Sequence, residues 1–112
     1  MALYCPKRGD VIRIPFSPQA GNEQPVHRTA LVVSPESYNR KVGLVLACPL
    51  TTQVKGYPFE VVVPNGFKAS GAILSDQVKS LDWRVRQASL LCSLPQETVQ
   101  QVLNKFCTLL DF

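Results

Sequence analysis

Gly43-Leu44-Val45-Leu46-Ala47-Cys48 is a continuous apolar run of strand length that is ended by Pro49. Ala30-Leu31-Val32-Val33 is a second such run, ended by Ser34 and Pro35. A run that does not alternate with polar residues is typical of a strand covered on both faces. The two runs therefore predict the central strands of a sheet.

Shorter strands are predicted on both sides of this pair. Ile12, Ile14 and Phe16 alternate with Val11, Arg13 and Pro15, as in a half-buried strand, and Pro15 suits an edge or a bulge. Ser17 to Arg28 carries prolines, a glycine and polar residues, which indicates a long loop. Three further strands are predicted at Phe59–Val63, Gly71–Leu74 and Gln87–Cys92.

The period of the apolar residues changes near the end of the chain. The spacing i, i+3, i+4, i+7 predicts one face of a helix that packs on the sheet or on a partner subunit. Ser93 and Gln96 predict a capping box, with Pro95 in the first turn. The helical face contains Val99, Val102, Leu103, Phe106, Leu109 and Leu110. We predict an α+β, mainly β fold, namely a small, strongly bent antiparallel barrel with a C-terminal amphipathic helix, as one domain over residues 1–112.

Composition narrows the class of protein. The net charge of +4 only slightly favours a polyanionic partner. No apolar run approaches the length of a membrane span and the first residues lack the order of a signal peptide, so we expect a cytoplasmic protein with no membrane partner. The four cysteines form no Cys-x-x-Cys pair, and one histidine cannot complete a zinc cluster. We expect buried, reduced cysteines and neither a metal nor another cofactor.

Several side chains near turns and strand ends have the chemistry of a catalytic site. They are acid–base groups, cations and hydroxyls: Glu23, His27 and Asp76; Arg28, Lys55, Arg84 and Arg86; Thr51 and Thr52. No phosphate-binding loop, dinucleotide fingerprint or His-Glu-x-x-His motif accompanies them. Taken alone, these residues indicate a small barrel that binds nucleic acid, and they leave the reaction open.

Three strings, in order along the chain, resemble the MazF/PemK toxin family. The first is Arg8-Gly9-Asp10-Val11 with Gly21-Asn22-Glu23-Gln24 and His27-Arg28. The second is Thr51-Thr52-Gln53-Val54-Lys55-Gly56-Tyr57-Pro58-Phe59-Glu60-Val61, and the third is Asp76-Gln77-Val78-Lys79-Ser80-Leu81-Asp82-Trp83-Arg84. The similarity runs from about residue 8 to the C-terminal helix.

The resemblance implies an SH3-like or CcdB-like barrel that dimerises, binds single-stranded mRNA between its subunits and is neutralised by a MazE-like antitoxin. It implies sequence-specific, metal-independent cleavage by the ribose 2′-hydroxyl, which leaves a 2′,3′-cyclic phosphate and a 5′-hydroxyl. The family's essential arginine falls on Arg28, its threonine on Thr51 and its acidic loop residue on Glu23. One departure is Thr29, where the family usually has proline. The proton acceptor stays open between Glu23 and His27.

The resembling strings also carry candidates for holding RNA. Polar and cationic groups suit base edges and phosphates, and Tyr57, which lies in a turn, is expected to be exposed and to stack on a base. Phe59 and Trp83 are instead expected in the core or at a dimer interface. The RNA-binding candidates are Gln53, Lys55, Tyr57, Gln77, Lys79 and Arg84. The alternative function is that of a CcdB-like toxin, which binds DNA gyrase without catalysis.

Overall fold

The computed structural model of this chain describes residues 4–15 and 27–110, without the side chain of His27. Its strands are β1 (Asp10–Pro15), β2 (His27–Val32), β3 (Val45–Thr51), β4 (Glu60–Val62), β5 (Ala72–Leu74), β6 (Lys79–Leu81) and β7 (Ser89–Ser93). Its helices are α1 (Glu36–Val42) and α2 (Gln96–Cys107), and a 3₁₀ turn follows at Thr108–Leu110. Phe16 and the predicted loop up to Val26, including Glu23, lie outside the described residues.

The described strands form one antiparallel sheet that bends at β3. Its order is β4-β5-β3-β2-β1-β7, and β6 also pairs with β3. The first part of β3 pairs with β2 and β6, whereas Leu50 and Thr51 pair with β5. Pro49 lies between the β3 residues that pair with β6 and those that pair with β5, where a missing N–H costs little. The mainly β, bent antiparallel fold with a C-terminal helix is confirmed.

Both faces of the central strands contribute to the core, which explains their continuous apolar sequences, although Leu46 of β3 is exposed. On one face, Leu31 and Cys48 pack in a cluster with Val99 and Val102 of α2. On the other face, Val32 and Val45 belong to a cluster with Trp83. Burying each such aliphatic side chain contributes roughly 1.5–3 kcal/mol. The prediction that Trp83 lies in the core is confirmed.

The C-terminal helix is amphipathic, as predicted, but the prediction of its start was wrong. The hydroxyl of Ser93 donates to Oδ1 of Asp10 at 2.9 Å, and Pro95 occupies the N-cap without a side-chain hydrogen bond. Ser93 is the last residue of β7 and lies two residues before the N-cap, so its hydroxyl, which the Asp10 carboxylate holds, does not cap the helix. At the other end Leu109 and Leu110 are half exposed, so the sheet covers only the first part of the apolar face.

Several boundaries differ from prediction because short polar elements were missed. Helix α1 was not predicted, and Gly43, with φ +84°, ends it instead of beginning a strand. Strand β3 begins at Val45 and continues through Pro49 to Thr51. Strand β6 was also missed. Arg28, predicted in a loop, lies in β2 opposite Ile14 of β1.

The cysteines divide by exposure. Cys5 and Cys48 are buried, as predicted, Cys92 is half-buried, and Cys107 is exposed, which contradicts the prediction for that residue. Burial raises the pKa of the Cys48 thiol to about 12. In the ranges described above, no helix is long and apolar enough to cross a membrane.

Candidate active site

The pairing of β2 with β3 places Arg28 and Thr51 at one end of the sheet. The strands are antiparallel, with Ala30 opposite Pro49, so the beginning of β2 adjoins the end of β3. Arg28 is the second residue of β2 and Thr51 is the last of β3. Both side chains line one open cleft of about 690 Å³, called the first cleft. The two residues that the resemblance singled out are therefore brought together.

The first cleft carries positive charge. Its lining residues are Arg13, Arg28, Thr29, Leu50, Thr51, Thr52, Gln53 and Leu91. Two guanidinium groups and four residues with hydroxyl or amide side chains suit a phosphate, since a guanidinium donates two parallel hydrogen bonds to its oxygens. Arg13 was missed as a site residue. It is the exposed position between buried Ile12 and Ile14, so the alternation in β1 carried the signal.

Thr51 is held from two sides. Its hydroxyl accepts a hydrogen bond from the backbone N–H of Gln53 at 3.1 Å, which leaves its own hydrogen to donate. On the other side the backbone of Gly71 packs against that of Thr51. A Cβ at Gly71 would overlap the carbonyl oxygen of Thr51 and lie 2.9 Å from its carbonyl carbon. Only glycine permits this approach, and the φ of +94° also favours it.

A second cleft of about 420 Å³ adjoins the first. It is lined by Thr51, Gln53, Lys55, Tyr57, Glu60, Leu74 and Gln77. Thr51 and Gln53 line both clefts, so the two form one continuous surface. Four of the six predicted RNA-binding residues, Gln53, Lys55, Tyr57 and Gln77, lie here. The structure thus joins them to Arg28 and Thr51.

Hydrogen bonds order the loop that borders the second cleft. The Glu60 carboxylate accepts from the backbone N–H groups of Lys55 and Gly56 at 3.1 and 3.0 Å. The hydroxyl of Tyr57 donates to Oδ2 of Asp76 at 2.8 Å. This hydrogen bond to a carboxylate raises the pKa of Tyr57 above its ordinary value. Tyr57 is 45% exposed, which confirms the predicted exposure.

The other predicted site residues lie outside the two clefts or outside the described ranges. Lys79 is exposed on β6. Arg84 lines a separate cavity, where its guanidinium donates to the carbonyl of Arg40 at 2.7 Å and lies 4.9 Å from the centre of the Trp83 ring. Glu23 is not among the described residues. Within residues 4–15 and 27–110, no three histidine, cysteine or acidic side chains are grouped as a metal site would need.

Comparison with known proteins identifies the family. A sequence model of PemK-like, MazF-like toxins of type II toxin–antitoxin systems matches residues 7–110. The chain is 46% identical to the endoribonuclease toxin MazF of Escherichia coli K12 over 110 residues, 98% of each chain. It is 28% identical to the endoribonuclease PemK of Escherichia coli, covering 93% of this chain and 81% of PemK.

A solved structure agrees with the sequence relatives. The crystal structure of MazE–MazF (Form-II) from Deinococcus radiodurans contains a chain that is 46% identical and superposes with a TM-score of 0.90, with 96% of each chain covered. The resemblance seen in the three sequence strings is thereby confirmed. The chain belongs to the PemK-like, MazF-like toxins of type II toxin–antitoxin systems.

Proposed function

We propose that this protein cleaves single-stranded mRNA in the first cleft, with Arg28 and Thr51 acting on the scissile phosphate. The chain is an endoribonuclease toxin of a toxin–antitoxin system. The observation that carries the proposed site is the convergence of an arginine and a threonine from neighbouring strands in one cleft.

The proposed reaction uses the substrate's own nucleophile. The ribose 2′-oxygen forms a bond to the adjacent phosphorus while the bond from phosphorus to the 5′-oxygen breaks, which leaves a 2′,3′-cyclic phosphate and a 5′-hydroxyl. The 2′-hydroxyl loses its proton, and the leaving 5′-oxygen gains one. DNA lacks the 2′-hydroxyl and cannot react in this way. The protein supplies in-line positioning, charge stabilisation and proton transfer, and no step requires a metal or a covalent protein intermediate.

Each side chain has a distinct part in this mechanism. The guanidinium of Arg28 binds the oxygens on which negative charge develops, because it stays charged and donates in parallel pairs. The hydroxyl of Thr51, oriented by the Gln53 N–H, donates to the same phosphate. Glu23 assists as an acid–base group. Arg13, on the wall of the same cleft, adds positive charge near the neighbouring phosphate.

The RNA extends from the first cleft into the second. Gln53, Lys55 and Gln77 contact base edges or phosphates there, and Tyr57 presents a ring for stacking. Lys79 and Arg84 lie outside both clefts and serve as more distant contacts with the strand. Sequence-specific recognition is placed in the second cleft because its lining mixes hydrogen-bonding side chains with an aromatic ring.

The assembly and its regulation follow the family. The protein works as a cytoplasmic homodimer, binds RNA in the groove between subunits and is neutralised by a cognate MazE-like antitoxin. The MazE–MazF structure from Deinococcus radiodurans supports the antitoxin partner. The net charge of +4 suits an acidic antitoxin segment that competes with RNA. The family match and the endoribonuclease relatives favour this function over gyrase binding.

The test is to incubate the purified protein with long single-stranded RNA in excess chelator. We expect discrete fragments with 5′-hydroxyl ends, and rates at least about a hundredfold lower for folded Arg28→Ala and Thr51→Ala variants. Arg40→Ala is the matched control, because Arg40 is exposed on α1 in an ion pair with Glu36. Intact RNA with wild-type protein, or equal losses in all three variants, would contradict the proposal.

A further inference from the structure

Side chains from three elements tether the loop of residues 52–59, here called the cleft loop. Glu60 of β4 accepts from two of its backbone N–H groups. Lys105 of α2 donates to the carbonyl of Pro58 at 2.7 Å. The third tether is the hydrogen bond from Tyr57 to Asp76, in the turn that follows β5. The first two tethers hold backbone atoms of the cleft loop, whereas the third holds the Tyr57 side chain, which itself lines the second cleft.

Two contacts fix the orientation of the Tyr57 ring at the edge of the second cleft. Its centre lies 5.8 Å from that of Phe59, with the two planes inclined at 49°, so Phe59 supports it from within the loop. Its hydroxyl end is fixed by Asp76, whose neighbours Leu74 and Gln77 also line the cleft. Although Phe59 and Asp76 both fix the ring, Tyr57 is still 45% exposed, so another flat group can stack on it.

The position of Asp76 is energetically unfavourable apart from its hydrogen bond with Tyr57. Its Oδ2 accepts from Tyr57, while its Oδ1 is buried and has no hydrogen-bond partner among the described residues. A buried carboxylate oxygen without a donor opposes folding, so stability alone does not explain the aspartate. An ionised acceptor does make a shorter and stronger bond to a hydroxyl than a neutral one.

We propose that Asp76 is a positioning residue for RNA binding, which orients Tyr57 so that one base of the bound strand stacks on its ring. The inference rests on the proposed function, because it requires RNA in the second cleft. A free tyrosine would lose rotational freedom when a base stacks on it. Asp76 removes that freedom before RNA arrives, and the bound state therefore forms at lower entropic cost.

The first experiment measures binding with four folded variants of Tyr57 and Asp76 and with one control variant. The probe is an RNA fragment that the wild-type protein cuts, made with a 2′-deoxy sugar at the cut. Tyr57→Phe, which keeps the ring, and Asp76→Ala should each raise Kd roughly twofold to tenfold, and Asp76→Asn should raise it less. Tyr57→Ala should raise it roughly tenfold to a hundredfold. Tyr38→Phe, on α1 and also exposed, is the control and should leave Kd unchanged.

Three further readouts separate positioning from a merely structural role. Because the two residues act through one hydrogen bond, the double variant Tyr57→Phe/Asp76→Ala should bind no more weakly than the weaker single variant. In cleavage assays KM should rise while kcat stays near wild type. With ring-labelled tyrosine, NMR titration should show a lower pKa for Tyr57 in Asp76→Asn than in the wild-type protein.

The outcomes distinguish this inference from the proposed function. The role of Asp76 would be overturned if Tyr57→Phe and Asp76→Ala both bound RNA with the wild-type Kd, or if the pKa of Tyr57 were unchanged in Asp76→Asn. The proposal that Arg28 and Thr51 cleave RNA would still stand in that case. A loss confined to Tyr57→Ala would show that the ring matters and that its hydrogen bond does not, which also overturns it. Full cleavage by Arg28→Ala and Thr51→Ala would instead overturn the proposed active site.

Discussion

Replacing Gly71 by alanine tests how firmly the fold positions Thr51. The added Cβ would overlap the Thr51 carbonyl oxygen and lie 2.9 Å from its carbonyl carbon. Carbon atoms in contact normally lie about 3.5–4.0 Å apart, so the contact with the carbonyl carbon alone requires the two backbones to separate by roughly 0.6–1.1 Å, and the overlap with the oxygen requires more. The matched control is Gly66→Ala, because Gly66 has a similar φ of +96° and nothing within 4 Å of its added Cβ.

The control separates backbone strain from steric overlap. Alanine at positive φ costs about 1–2 kcal/mol at either position. The overlap adds about 1–3 kcal/mol at Gly71 alone, which corresponds to a Tm lower than that of Gly66→Ala by roughly 4–12 °C. Moving Thr51 by nearly 1 Å should also reduce kcat roughly a hundredfold, whereas Gly66→Ala should cleave normally.

The measurements are thermal unfolding and single-turnover RNA cleavage on the two variants side by side. Equal Tm values for Gly71→Ala and Gly66→Ala would refute the close approach of Gly71 to Thr51. A destabilised Gly71→Ala that cleaves at the wild-type rate below its Tm would refute the link between that approach and catalysis.

Three further predictions concern other parts of the molecule. Asp10→Ala should lower the free energy of unfolding, measured in urea, by about 2–4 kcal/mol, because Asp10 is buried and accepts three hydrogen bonds. The control Glu36→Ala removes an exposed ion pair and should lower it by less than about 0.5 kcal/mol. When the folded protein is treated with iodoacetamide, mass spectrometry should show that exposed Cys107 is modified first. Early modification of Cys48 would contradict its burial and raised pKa. Arg28→Lys should cleave RNA faster than Arg28→Ala but slower than wild type; rates equal to wild type would argue against parallel donation to phosphate.

The raised pKa of the Cys48 thiol also affects the stability of the fold at high pH. The folded pKa of Cys48 is about 12, and the ordinary value is 9.0, so above pH 9 the thiol ionises in the unfolded chain before it does in the fold. The folded state then binds more protons, and stability falls as pH rises from about 9 to 12. Below pH 9 both states are protonated, and this group has no effect. Urea unfolding across that range measures the fall, and a stability that rose there would contradict the assignment.

The sequence predicted the elements whose stability comes from apolar burial. The runs around Val32 and Val45 indicated central strands because each strand is covered on both faces. Strand β1 was less simple, since Val11 and Ile12 are both buried on opposite faces of the sheet, and only from Ile12 to Ile14 does a buried position alternate with an exposed one.

Elements held by tertiary hydrogen bonds were not predictable from local pattern. Helix α1 is short and largely polar, and its anchor is the buried Asn39. The Asn39 side-chain amide donates to the carbonyls of Pro6 and Ser34, and the backbone carbonyl of Asn39 accepts from the indole N–H of Trp83. Nothing within residues 36–42 signals these partners, and two of them, Pro6 and Trp83, come from distant parts of the chain. Ser93 also failed as a helix cap because of a tertiary contact, since it pairs with Asp10 of β1 as the last residue of β7.

The site required the resemblance as well as the residues. Composition offered several cations near turns, and only the pairing of β2 with β3 places Arg28, rather than Arg84, in the cleft with Thr51. Arg84 was a reasonable candidate whose guanidinium instead binds the end of α1. Arg13 could have been found from its exposed position in a buried strand.

The decisive measurement for the proposed active site is a structure of the protein with uncut RNA that carries a 2′-deoxy sugar at the cleavage position. We predict that the guanidinium of Arg28 and Oγ1 of Thr51 both lie about 3 Å from oxygens of the phosphate next to the deoxy sugar. If that phosphate lies outside the first cleft, or contacts neither side chain, the proposed active site is wrong.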